Sequence, residues 1–214
     1  MTNAPALTLS ELELDALTEL VNLGVSRAAG SLAEMVHEEI VLSVPKVALV
    51  SREQAIHTLG EREKKELVAV HQAFEGDIAG RALLIFPEEK SLELVRAIVG
   101  SDLPLEEIVE LEHEALAETG NVILNGCLAT IANMLERSLR ISLPEILHGV
   151  SHELFSLPHA SGLEQGVLFI YINFSVRRRE IDGYIAMLMD MPTLATLQSL
   201  LADFIRRTTG ASLP

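Results

Sequence analysis

The chain has 214 residues, a formal net charge of −15 and one cysteine. Nearly half of its residues are apolar, which argues against disorder and allows a sizeable core. The acidic balance argues against binding a nucleic-acid backbone, and the lone Cys127 excludes an internal disulfide. No basic stretch followed by an apolar run opens the sequence, and no uncharged apolar run approaches the ~18 residues of a membrane span. The expectation is a soluble cytoplasmic protein.

The first predicted element is a long helix. Ser10 and Glu13 have the spacing of a capping box at its start. At 100° per residue, Leu17, Val21, Gly24, Ala28, Leu32 and Met35 share one stripe, read as the packing face. Asp15, Glu19, Asn22 and Ser26 share another stripe on the opposite side, at spacings of three and four that make them surface neighbours. Alternation in "EIVLSVPKVAL" then predicts a strand. A connection follows, then two β-rich runs, a proline and an amphipathic helix within 68–99. The stretch 101–110 joins this half to the next.

The second half repeats the first. "DALTELVNLGVSRAAGSLAEMVHEEIVLSVP" (15–45) aligns without a gap to "EALAETGNVILNGCLATIANMLERSLRISLP" (114–144), at an offset of 99. Residues 68–99 resemble 166–201 more weakly; Phe74 and Phe174 end the first run of each, and Gly80 and Gly183 open the second. The second helix buries Leu116, Gly120, Ile123, Cys127, Ile131 and Met134, and its polar stripe carries Glu114, Glu118, Asn121 and Asn125. Gly120 faces inward, where a missing side chain permits close approach, and Asn121 faces outward. The predicted fold is α+β, with internally duplicated helix–strand halves related by a pseudo-two-fold axis. Its sheet is largely antiparallel and its two long helices are equivalent. The chain reads as one domain, 1–214, built from repeats of about 9–100 and 105–207.

Glu and Asn three residues apart on a helix are most simply a solvated face. The pair occurs twice in one register, each time with 22 residues between Asn and a proline. Duplication without function and a functional surface both explain that.

At these residues the sequence resembles the CheC/CheX/FliY family of chemotaxis phosphatases, whose signature runs Asp or Ser, three residues, Glu, two residues, Asn, about 22 residues, Pro. Asp15, Glu19, Asn22 and Pro45 match in full. Glu114, Glu118, Asn121 and Pro144 match except at the leading Glu114. The segment "ETGNVILNG" looks close to the family's "EIGNI" core, and "ELVNLGVSRAAG" is a looser version. The resemblance covers nearly the whole chain, and two motif copies place it nearest the CheC branch. It implies hydrolysis of the aspartyl phosphate on a CheY-like receiver domain by positioning of the attacking water, with non-catalytic binding of phosphorylated receivers as the alternative. Asn22 and Asn121 would orient the water, Glu19 and Glu118 would pair with the receiver's lysine, and Asp15 and Glu114 would add docking contacts. The closer core makes the second copy the stronger site. The resemblance implies no cofactor on this chain, with Mg²⁺ in the receiver. Family members can also bind the receptor deamidase CheD, for which this sequence holds no motif.

Other candidates have plainer explanations. His148 and His152 have i,i+4 spacing beside Glu153, but in a strand-to-loop context that does not favour a metal. Cys127 lies on the buried stripe and reads as a core thiol. Arg177, Arg178 and Arg179, bounded by Glu180 and Asp182, read as a solvated turn. The acidic run in 105–118 reads as a solvated helix face, one that also favours a basic partner surface.

Overall fold

The capping box forms: the Ser10 N–H donates to Glu13 Oε2 at 2.8 Å, and the Glu13 N–H donates back to Ser10 Oγ at 3.3 Å. It opens α1 (Glu11–Val36) in a computed structural model that describes residues 8–36, 39–99, 104–156, 165–176 and 179–210. The first half continues with β1 (Ile40–Ser51), α2 (Arg52–Arg62), β2 (Leu67–Gly76), β3 (Gly80–Pro87) and α3 (Glu88–Val99). The second half contains α4 (Leu105–Met134), β4 (Leu139–Ile141), β5 (Glu145–Gly149), α5 (Ser151–Phe155), β6 (Gln165–Val176), β7 (Arg179–Asp190) and α6 (Met191–Thr209).

All seven strands join one sheet in the order β1-β6-β7-β3-β2-β4, with β5 also on β2, and every pairing is antiparallel. The order reads the same with the halves exchanged. β1 pairs with β6 and β4/β5 pair with β2, so each half lends its first strand to the other half's hairpin. Neither half can complete its own sheet, which is why the two share one.

Helices cover both sides of the sheet. On one side α1 and α4 bury Leu17, Leu20, Ile123 and Leu124 over Val68, Val70, Ile170 and Ile172. On the other, α2 and α5 cover Ala69, Leu83, Phe169 and Ala186 with Ala55, Leu59, Leu154 and Phe155. The central strand β3 is therefore buried along nearly its whole length, and its sequence RALLIFP runs apolar rather than alternating. By length and composition α4 is apolar enough to cross a membrane; here its apolar face packs on β2 and α1 as a core helix does.

Several local expectations change. The connection between the first strand and the first β-rich run is the helix α2, capped by Ser51, and its counterpart is the five-residue α5. β1 runs through Pro45, across a register irregularity between Ser43 and Lys46. An edge strand tolerates a missing N–H there. Pro144 stands instead in the break between β4 and β5. Gly183 does not open its strand: β7 starts at Arg179, paired with Val176. A Cβ at Gly183 would stand 2.6 Å from Phe86 Cε1, so the close approach of that ring calls for glycine. Met35 is exposed rather than packed. Arg179 belongs to β7, while Arg177 and Arg178 lie outside the described residues.

Candidate functional site

α1 and α4 cross at small residues. A Cβ at Gly24 would stand 2.8 Å from the Cys127 Cα, so the two helices meet backbone to backbone there. Arg27 Nη1 donates to Thr130 Oγ1 at 3.4 Å across the same crossing. Cys127 is fully buried, and burial pushes its thiol up to about 12, the state of an inert core thiol. The crossing fixes the two polar stripes relative to each other. At the start of α1, Glu13 also receives Gln198 Nε2 from α6 at 3.2 Å. Burial raises the Glu13 carboxyl, but hydrogen bonds from the Ser10 N–H, Gln198 and the Ser10 hydroxyl outweigh it and hold the group below its ordinary range.

On α1, Asp15 and Glu19 are exposed and Asn22 is half-buried. On α4, Glu114 and Glu118 are exposed and Asn121 is half-buried. Each Glu/Asn pair thus lies on one exposed helix face, and the structure keeps the two pairs on separate helices. Among the described residues the Asn22 amide makes no side-chain hydrogen bond.

Asn121 differs. Gly120 seats α4 on β2: a Cβ there would lie 2.4 Å from Val70 Cγ1. This close approach brings Asn121 to Gln72, a fully buried β2 residue. Gln72 Nε2 donates to Asn121 Oδ1 at 3.2 Å and to the Ser142 carbonyl at 2.9 Å. Asn125 Nδ2 also donates to Asn121 Oδ1, at 2.7 Å. Asn121 therefore does not simply face outward; its carbonyl oxygen is turned to the sheet. Sequence reasoning passed over Gln72. Its signal was an amide at the helix-facing parity of β2, between Val70 and Phe74.

His148 and His152 fall on different elements, β5 and α5. Among the described residues no group of three or more His, Cys, Asp or Glu side chains could hold a metal ion.

The fold is thus an antiparallel sheet that carries two crossed helices, each presenting an acid and a half-buried amide on one face. Known proteins share this arrangement in sequence and fold. The family model described as "Chemotaxis phosphatase CheX" matches residues 68–168. The CheY-P phosphatase CheC of Bacillus subtilis is 24% identical over 200 residues, covering 88% of this chain and 93% of that protein. The putative CheY-P phosphatase CheC1 of Halobacterium salinarum is 22% identical, covering 67% and 72%. The crystal structure of Thermotoga maritima FliY shares the fold with a TM-score of 0.71 at 17% identity, covering 92% of this chain and all of that one. Along most of its length the chain is similar to CheC-type chemotaxis phosphatases, and the family-model match falls on residues 68–168.

Proposed function

We propose that this chain hydrolyses the aspartyl phosphate of a CheY-like receiver domain, and that Glu19/Asn22 and Glu118/Asn121 are the residues it brings to the reaction. The observation that carries this reading is the repeated Glu/Asn pair, presented on open helix faces in a chain similar along most of its length to a CheY-P phosphatase. An acyl phosphate is already reactive, so the phosphatase needs chiefly to place a water in line with the bond to be broken. The water oxygen bonds to phosphorus as the bond from phosphorus to the aspartyl oxygen breaks. The electron pair leaves with the carboxylate, the water's proton passes to phosphate or solvent, and inorganic phosphate is released. The receiver supplies Mg²⁺ and a lysine. Glu19 and Glu118 engage that lysine and anchor the helix, Asn22 and Asn121 reach the water, and Asp15 and Glu114 add docking contacts. The two repeats, about 9–100 and 105–207, act as one cytoplasmic domain. CheD as a further partner rests on the family resemblance alone.

The test is loss of label from a receiver loaded with radiolabelled acetyl phosphate. Wild type should speed the loss, and Asn22→Ala/Asn121→Ala should return it to the receiver's own rate. A double variant as fast as wild type refutes this use of the amides. Slower loss in the presence of wild type would identify a non-catalytic adaptor that shelters the phosphoryl group.

A further inference from the structure

We propose that Gln72 is a positioning residue that commits the Asn121 amide to donation, which leaves water positioning to Asn22 and makes the two sites chemically unequal. This rests on the phosphatase reading above and assigns each site its part in it.

The orientation follows from one fixed group. The Ser142 backbone carbonyl can only accept, so the Gln72 atom 2.9 Å from it is Nε2. The same Nε2 stands 3.2 Å from Asn121, so the Asn121 atom facing it is the acceptor Oδ1. The Asn125 atom 2.7 Å from that oxygen is then Nδ2. An amide oxygen has two lone pairs, and both are taken. What Asn121 has left to offer a partner is N–H.

Chemistry gives this a consequence. A water attacking phosphorus points its reacting lone pair at phosphorus and its O–H bonds away. A group that accepts from one of those O–H bonds aims the water and stabilises the positive charge that builds on it, whereas a donor reaches only the water's second lone pair and opposes that charge. Asn121 as held by Gln72 is a donor suited to a phosphoryl oxygen. Among the described residues nothing bonds the Asn22 oxygen or nitrogen.

The first half lacks the device. Phe74 pairs with Ile141 and Phe174 pairs with Leu42, and Ile141 and Leu42 are counterparts at the 99-residue offset. Two residues before each phenylalanine stand Gln72 and Ile172, both buried under their helices. Ile172 offers Asn22 nothing to bond. The counterparts of Gly120 and Asn125 are Val21 and Ser26. The chain of amides is also a poor stabiliser, because Gln72 Oε1 and Asn125 Oδ1 are buried without a hydrogen-bond partner. A buried polar network left half-satisfied is costly, and an apolar residue such as Ile172 avoids the cost. This inverts the ranking of the two sites that their motifs alone suggest.

Label-loss kinetics on a receiver loaded from radiolabelled acetyl phosphate test the proposal. Asn22→Ala should lower kcat about tenfold more than Asn121→Ala. In the Asn22→Ala background, Gln72→Met keeps the bulk and removes the donor; it should raise kcat about fivefold or more, with KM little changed. A purely structural role would instead lower kcat along with the urea midpoint. Where Gln72→Met fails to fold, Asn125→Ala in the same background frees one lone pair of Asn121 without touching β2, and kcat should again rise. Equal losses in the two Asn→Ala variants, or a kcat that falls or stays when the donor is removed, overturn the proposal. If wild type does not speed label loss, the phosphatase reading itself fails; if the Asn22→Ala/Asn121→Ala variant is as fast as wild type, the use of the amides fails; both outcomes are separate from equal contributions by two active sites.

Discussion

Gly120 and Gly30 both sit within long helices, and the same substitution should have opposite effects on them. A Cβ at Gly120 would lie 2.4, 2.5 and 2.6 Å from Cγ1, Cβ and Cγ2 of Val70. Carbon atoms in contact settle at about 3.5–4.0 Å, so α4 must retreat from β2 by about 1 Å. Val70 cannot swing aside, because it is β-branched and buried in a paired strand. Such overpacking costs about 1–3 kcal/mol, against about 1 kcal/mol gained by replacing glycine with alanine in a helix. Gly120→Ala should therefore be destabilising by ~1 kcal/mol net, or a Tm lower by about 2–4 °C for a chain of this size. At Gly30, which is exposed, a Cβ would meet nothing within 4 Å. Gly30→Ala should be stabilising by about 0.5–1 kcal/mol. Urea midpoints and thermal melts of the two variants beside wild type measure both effects. If Gly120→Ala is as stabilising as Gly30→Ala, α4 is not seated on Val70 through the glycine, and the close approach that brings Asn121 to Gln72 is refuted with it.

Two further outcomes follow from ionisation. The Glu13 carboxyl is held below its ordinary value of 4.5, so its contribution to stability is present above that pH and is lost as pH falls through the folded-state value. Urea midpoints between about pH 3 and pH 7 should therefore fall less steeply on acidification in Glu13→Gln than in wild type, and parallel curves would exclude the linkage. The Cys127 thiol, buried and pushed up to about 12, should not react with an aromatic disulfide reagent in the native protein. One thiol per chain should appear once urea unfolds it, and rapid native labelling would place Cys127 outside the helix crossing.

The long helices and their faces were legible because two copies of the same pattern constrain each other. Leu17, Val21, Gly24, Ala28 and Leu32 repeat in register as Leu116, Gly120, Ile123, Cys127 and Ile131, and all ten positions are buried. The second helical layer was not legible, for a physical reason. α2 buries only Ala55 and Leu59 along REQAIHTLGER, too thin a stripe to distinguish from a polar connection, and α5 is only five residues long. The need for that layer was nonetheless visible in RALLIFP and in YIAMLM of β7, whose unbroken apolar runs require cover on both faces. Pro45 and Pro144 show the limit of reading by repeat. The same residue at the same offset lies within an edge strand in one copy and between two short strands in the other, because different partners flank it.

The asymmetry at the candidate sites arises from residues that depend on one another. The Ser142 carbonyl takes one N–H of the buried Gln72 amide, and its second N–H is paired only where α4 brings an amide oxygen to it; a buried donor left unpaired costs about 1–3 kcal/mol. That approach requires no side chain at position 120, which is met by Gly120 and would not be met by the valine that stands at position 21. Asn125 then completes the lone pairs that Asn121 turns inward, whereas Ser26 lies one turn along α1 from Asn22, whose amide makes no side-chain hydrogen bond among the described residues. Replacing any one of these positions by its counterpart in the first half changes what the others can bond. Gln72→Ile alone should therefore release Asn121, whereas Gly120→Val alone should leave Gln72 with the Ser142 carbonyl as acceptor but without Asn121, and destabilise the fold more than Gly120→Ala does. A fold whose strand order reads the same in both directions thus carries two helix faces with the same Glu/Asn spacing and different hydrogen-bonding capacity.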